Sequence, residues 1–400
     1  MSPNKLSIPL LALMMSFVAF SIDAVLPAQG LIGDALNVVN DNDSQKIITS
    51  IFLGLAIGQL LYGPLSDSIG RKKTIYIGFV FFFIGSVLCL FAKDMTLMYI
   101  GRALQGFGLS ANRIVCIALI RDVYRSEEMA KVMSFIMTVF IIVPTLAPTL
   151  GQAILYISTW KMIFIVLLAF TTIVTVWFAI KQEETLTEDK LQKFSLKRTT
   201  NAVIEIVNNK QSFNYTIISG LVFAAFMTYL NMSQQIFQEL YGKTETFPYY
   251  FAVIALSIGL ASFLNGRLVE KYGMVNIVKR SLYAVISLSA LFVIYIQNYG
   301  NPPFIVFMVC LIPIMFSVGF LFGNLNSIAM EPLGHIAGTG ASVVGSVSTF
   351  ISVPISAYVG SLYQGSILPL IASFLILGIF SIFIIFWMDY QKNKKTIYTE

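Results

Sequence analysis

Charge is scarce in this chain. Only 12% of its 400 residues are Asp, Glu, Lys or Arg, about half the share found in a soluble domain. Apolar residues make up 57% and the mean hydropathy is +0.80, which excludes an ordinary soluble domain and places most of the chain in a lipid bilayer. Histidine and cysteine are scarcer still. The three cysteines, Cys89, Cys116 and Cys310, lie inside apolar runs with no metal-ligand spacing, so neither a disulfide nor a metal site is expected. His335 is the only histidine and falls in a polar connection, where a surface role is expected. A membrane-embedded enzyme needs clustered His, Glu or Asp, or a nucleophile with its base, and Asp23 is the one acid in an apolar run with no histidine near it. An enzyme is therefore excluded.

What the chain has in abundance is apolar runs. A helix needs roughly 20 apolar residues to cross a bilayer, and that ruler predicts twelve spans: 6–28, 46–65, 74–92, 95–121, 129–154, 160–180, 213–238, 248–266, 276–297, 303–325, 338–359 and 366–388. The first is long enough to span and lacks a small-residue cleavage site, so it reads as a span and not as a signal peptide. The longest polar interruption, 181–212, mixes Lys181, Lys190, Lys193, Lys197, Arg198 and Lys210 with Glu183, Glu184, Glu188, Asp189 and Glu205. It reads as a solvated linker with a short amphipathic helix, between an N-terminal six-helix bundle (1–180) and a C-terminal one with a short tail (213–400).

The net charge of +6 invites a nucleic-acid reading, but the basic residues are spread over the connections and act as orientation signals. With the amino terminus inside, twenty of the 26 fall on the cytoplasmic side, among them Lys5, Arg71–Lys73, Arg121, Arg125, Lys131, the six of the linker, and Arg267 to Arg280. Four (Lys46, Lys93, Lys161, Lys243) fall outside. Both termini are expected in the cytoplasm, with no nucleic-acid partner.

Residues 63–73 carry the pattern G-x-L-x-D-x-x-G in Gly63, Leu65, Asp67 and Gly70, followed by Arg71, Lys72 and Lys73. The spacing returns at Gly266, Leu268, Glu270 and Gly273, 203 residues later and thus half a chain away. A repeat at that offset implies two related halves. Each copy is expected to be a tight polar loop that acts as a conformational latch, with the glycines allowing close approach or unusual backbone angles.

The motif resembles motif A of the major facilitator superfamily, whose twelve helices form two six-helix bundles. Tyr99-Ile100-Gly101-Arg102-Ala103-Leu104-Gln105-Gly106-Phe107-Gly108 is similar to motif B of span four. Pro144-Thr145-Leu146-Ala147-Pro148-Thr149-Leu150-Gly151 is similar to motif C of span five, the mark of proton-coupled exporters, although Ala147 and Gly151-Gln152 depart from its usual glycines. Asp23-Ala24-Val25-Leu26-Pro27 resembles the D-x-x-L-P signature of drug:proton antiporters, while Arg121-Asp122 and Glu331–Thr339 resemble the Bcr/CflA multidrug-resistance branch. The fold this implies is an all-α membrane protein of twelve transmembrane helices in two pseudo-symmetric six-helix bundles, with helix bends at Pro144, Pro148 and Gly151.

Charges inside spans are costly and therefore functional by default. Asp23, Arg102 and Arg113 are the three embedded here. At 1.5 Å per residue Asp23 and Arg102 lie roughly 8 and 10 Å from the outer ends of their spans, so they share a depth and are expected to pair. Eleven residues return a helix to within about 20° of the same face, which puts Arg113 below Arg102 on one stripe. Burial opposes ionisation of Asp23 and a nearby cation favours it, so small changes of distance or hydration load or release a proton. Arg113 is expected to receive an anionic group of the substrate or to snorkel to the interface. Asn231, Gln234, Gln235, Phe226 and Asn324 are expected to line the substrate cavity from the C-terminal half.

The resemblance implies a monomeric, proton-coupled exporter of small organic or amphipathic molecules in a bacterial inner membrane, driven by the proton gradient without a cofactor. A dedicated exporter of an endogenous metabolite, such as a siderophore or amino-acid derivative, stands second. An uptake symporter or a sensor with a transporter fold stands third.

Overall fold

The computed structural model describes residues 7–124, 126–187, 189 and 191–397; of the orienting charges, Lys5, Arg125 and Lys190 lie outside them, as does Glu188. In hydrocarbon every backbone N–H and C=O must be satisfied within the chain, which leaves the helix as the natural form for apolar runs of this length. The described residues form helices and no strand: α1 (Ile8–Asp23), α2 (Gln29–Ala35), α3 (Lys46–Ile69), α4 (Arg71–Leu90), α5 (Met95–Val123), α6 (Ser126–Ile157), α7 (Trp160–Lys181), α8 (Leu196–Asn208), α9 (Lys210–Gln234), α10 (Phe247–Tyr272), α11 (Met274–Tyr299), α12 (Phe304–Met330), α13 (Ala337–Ser361) and α14 (Leu368–Ile397). With α1 and α2 as one broken span and α8 on the linker, these are the twelve expected crossings. α6 runs unbroken through Pro144 and Pro148.

Helices α1 to α7 pack on one another, as do α9 to α14, and the halves meet along α3–α13 and α6–α10. Those two seams exchange under the internal repeat: α3 corresponds to α10 and α6 to α13. The α3–α13 seam is antiparallel, from Gln45 against Gly360 at one end to Gly63 against Ser342 at the other. Close crossings are built on glycine: a Cβ at Gly106 of α5 would stand 1.8 Å from the Ile51 carbonyl oxygen of α3.

Two expectations about local structure are corrected. The loop at 63–73 collapses to one residue. α3 continues through Pro64 to Ile69, and only Gly70 leaves the helix, at φ 98°, before α4 begins. An L side chain rarely adopts that φ, and a Cβ there would also press on Glu184 Oε2 at 2.6 Å. Gly63 stays helical, and a Cβ there would make only an ordinary contact with Ser342 Oγ at 3.6 Å, while at Gly266 nothing lies within 4 Å. The first span is the other correction, because its helix stops at Asp23. Pro27 cannot donate into a continuing helix, and the chain makes a short 3₁₀ turn, Leu26–Ala28, before α2.

Candidate transport site

The break in the first span sets the site. A helix end leaves carbonyls without partners, and at the end of α1 one of them, Ser21 O, accepts from Arg102 Nη1 at 3.1 Å. The same guanidinium donates from Nε to Ile47 O of α3 at 3.2 Å and from Nη1 to Gln105 Oε1 at 2.8 Å. Gln105 passes the connection to Ser86 Oγ of α4 at 2.7 Å. A cation at a helix C-terminus is favourable twice over, through the hydrogen bond and through the helix dipole. Arg102, 0% exposed, therefore fixes where α1 ends and so where Asp23 stands.

The expected Asp23–Arg102 ion pair is not formed, because the cation is consumed by backbone carbonyls and Gln105. Among the described residues no side chain hydrogen-bonds to Asp23, which is only 6% exposed. Tyr229 of α9, in the other half, lies within electrostatic range of it. Tyr229 Oη is buried without a partner, and so are both amide atoms of Asn231. Gln29 links the two sides: its Nε2 donates to Ser44 O at 3.1 Å and to Asn231 O at 3.4 Å, while its Oε1 is unpartnered. Such a group of buried, unsatisfied polar atoms is costly unless something fills it.

Tyr229 and Gln29 were not singled out by sequence reasoning. Tyr229 reads there as one more aromatic of span seven, and Gln29 lies past Pro27 where a loop is expected. Gly151 of α6 completes the site, since a Cβ there would be 2.1 Å from the carbonyl oxygen of Ala24. Gly151→Val is therefore expected to push α6 off the D-x-x-L-P break. It should cost roughly 2–4 kcal/mol, within the overpacking range, and a fall in the thermal midpoint of the detergent-solubilised protein checks it.

The amides of span seven mostly stand elsewhere than expected. Gln235 lies in a π-helical turn (Gln235–Leu240) that ends the span, a device common at functional positions. Its Oε1 accepts from Gln45 Nε2 at 2.6 Å and its Nε2 donates to Asn42 Oδ1 at 3.0 Å. Asn42 also donates to Tyr363 O at 2.9 Å, Gln45 to Gly360 O at 3.1 Å, and Gln238 to Pro27 O at 3.3 Å. These neutral amides tie the halves together at the end remote from the linker. Burial pushes the Tyr363 phenol beside them up to about 12, so it stays protonated at physiological pH. Gln234 bonds within its own turn, to Gln238 Oε1 and Glu239 Oε1, both at 3.2 Å. Asn324 of α12 pairs with Asn265 of α10 inside the C-terminal half, at 2.7 Å. Phe226 packs with Phe223, Tyr229 and Phe322, and Phe223 in turn meets Phe52 of α3.

Arg113 differs from Arg102 in kind. It is exposed where Arg102 is fully buried. No hydrogen bond or ion pair with a described residue holds its guanidinium.

At the linker end the first motif copy forms a charged cluster. Arg71 donates to Asp67 at 2.5 Å, to Ser66 Oγ at 2.7 Å and to Asp122 at 2.9 Å. Glu184 of the linker accepts from the backbone N–H groups of Arg71 and Lys72, at 3.0 and 2.9 Å. An acid therefore caps the positive start of α4. The second copy builds no equivalent: Glu270 has no hydrogen bond or ion pair among the described residues, Lys271 and Arg280 lie over the Tyr272 ring, and Lys279 bonds Asp389 at 2.6 Å. His335, exposed as expected, bonds Glu205 of α8 at 2.7 Å.

Twelve spanning helices in two related bundles, with a buried acid at the seam and an exposed arginine within α5, are the architecture of a transporter of small molecules. Residues 10–357 match the Major Facilitator Superfamily, and the chain belongs to it. The chain is 28% identical to the bicyclomycin resistance protein homolog of Haemophilus influenzae over 363 residues, covering 88% of each. It is 28% identical to the multidrug resistance protein MdtL of Shigella dysenteriae, covering 77% of each. An uncharacterized MFS-type transporter of Bacillus subtilis, YdgK, is 27% identical, covering 79% of each. Among solved structures, a D-xylose–proton symporter superposes with a TM-score of 0.71 at 15% identity, covering 94% of this chain and 96% of that one. The peptide transporter POT gives 0.74 at 11% identity, with 96% of both chains covered. The resemblance to the Bcr/CflA branch stands, and the protein is a multi-pass membrane transporter, not an enzyme.

Proposed function

We propose that this chain exports small organic or amphipathic molecules in exchange for protons, by alternating access. The reading rests on one observation above others: Asp23 is buried at the break of the first span, without a partner, on the seam between halves. An acid so placed can accept a proton from one side and release it to the other when the halves tilt. Arg102 Nη2, buried and unpartnered, is a donor held in reserve for Asp23 in the alternate state. The bundles 1–180 and 213–400 rock about the α3–α13 and α6–α10 seams, with 181–212 as the linker between them. The charged cluster at Arg71 serves as the latch on the linker side, and Pro144, Pro148 and Gly151 give α6 its bend. The excess of basic residues at the linker end supports a cytoplasmic position for it and for both termini, in a bacterium. The protein works as a monomer in the inner membrane and draws on the proton gradient without a cofactor or nucleic acid. The names of the relatives support multidrug export; a single endogenous metabolite is the second reading, favoured by the specific charge that Arg113 adds.

The test is a panel of antibiotics and dyes in an efflux-deficient host, followed by proteoliposomes holding an imposed pH gradient. At least one compound should raise survival and collapse the gradient. If compounds are exported while the gradient is untouched, proton coupling is wrong. As a gate, the amide ties give a second expected result: linking cysteines placed at 45 and 235 with a short bismaleimide, in a background without the three native cysteines, should stop turnover. Continued transport by the linked protein would show that this end need not open.

A further inference from the structure

We infer that Arg113 is the subsite for an anionic group, a carboxylate in the first instance, on the transported molecule. The inference deepens the exporter reading and rests on it for the direction of transport only. A guanidinium within a membrane span is tolerated when it is paired, hydrated or reaches the interface. Among the described residues Arg113 has no hydrogen-bond or ion-pair partner, and several acids of the spanning region are engaged elsewhere. Asp23 stands at the end of α1 towards Tyr229, Asp67 and Asp122 are held by Arg71, Asp389 by Lys279, and Glu239 is bonded by Gln234 at the opposite end.

Arg102, eleven residues earlier on the same stripe, shows what a structural arginine looks like in this helix: 0% exposed, with three hydrogen bonds to fixed acceptors. Arg113 has the reverse character, accessible and unbonded. Its planar fork matches a carboxylate in two parallel hydrogen bonds, which adds orientation to attraction. Charge balance gives the same answer. An exposed cation towards the linker end of α5, with no counter-ion among the described residues, is neutralised by a cargo that carries one negative charge.

The test uses the purified full chain in detergent, with no gradient present, so that its outcome is independent of proton coupling. The probes are 1-naphthoate and 4-phenylbutanoate, their methyl esters, and the corresponding amines. Wild type should bind a carboxylate at least about tenfold more tightly than its ester, the equivalent of 1.4 kcal/mol. Arg113→Gln should lose that preference while still binding the ester, and Arg113→Lys should keep part of it. Because Arg113 has no bond to lose, Arg113→Gln should leave the thermal midpoint unchanged or raised. Four results would each overturn the proposal: wild type that binds no carboxylate of the set, wild type that prefers the ester or amine, Arg113→Gln that retains the carboxylate preference, or a midpoint that falls by several degrees and so reveals a structural partner.

Discussion

Replacing Asp23 by Asn is expected to reduce gradient-driven export to the background of the host without harming the fold. Asn is nearly isosteric with Asp, and the wild-type carboxylate accepts no hydrogen bond that the substitution would break. What disappears is the ability to cycle between a charged and a neutral form, and with it the only proton site on the seam that the first span provides. An ionised carboxylate with no partner in a dry interior costs several kcal/mol, so the neutral amide should unfold at the same temperature as wild type or higher. Substrate exchange across the membrane with no gradient imposed should survive, since it needs tilting of the halves but no net proton movement. The paired measurement is therefore uptake into inverted vesicles with and without a pH gradient, alongside a thermal melt. Full gradient-driven export by the Asn variant would remove Asp23 from the coupling mechanism.

The twelve crossings, the half-chain repeat and the identity of the embedded charges were legible because lipid imposes simple rules on composition. A run of twenty apolar residues has one stable form, and a charge inside it stands out. Arg102 does reach the end of α1 that carries Asp23, at Ser21 O. Which partner it takes there was not legible. Counting residues along helices gives height but not the backbone's own demands, and the broken end of α1 offered Arg102 a carbonyl that competes with Asp23. Local breaks explain the other misses too. The π-turn at Gln235–Leu240 and the 3₁₀ turn at Leu26–Ala28 bring amides from distant segments together, whereas an unbroken span seven would have pointed some of them inward. Glu184, which caps α4 from the linker, was one acid among several in a polar stretch. Nothing in the spacing marks a cap supplied from more than a hundred residues away.

Removing Arg102 should have the opposite signature to removing Arg113, although both are arginines on one stripe of one helix. Arg102→Met leaves Ser21 O and Gln105 Oε1 without their donor in a site that water does not reach, while Ile47 O keeps its bond within α3. Each orphaned buried acceptor costs about 1–3 kcal/mol, and partial relaxation brings the total to roughly 3–5 kcal/mol. Arg102→Lys should lie between, because a single ammonium replaces a rigid fork that reaches α1, α3 and Gln105 from fixed angles. Function should fall with stability for a second reason. Once Ser21 O is released, the end of α1 is no longer held by α5, and Asp23 loses its position against Tyr229. A useful readout is the pH dependence of export by the Lys variant, measured at a temperature where it remains folded. A merely structural role predicts an unchanged profile at lower amplitude, whereas a positioning role predicts a displaced profile. An Arg102→Met protein that melts with wild type would mean that its hydrogen bonds add nothing. The break in the first span would then be set by Pro27 alone.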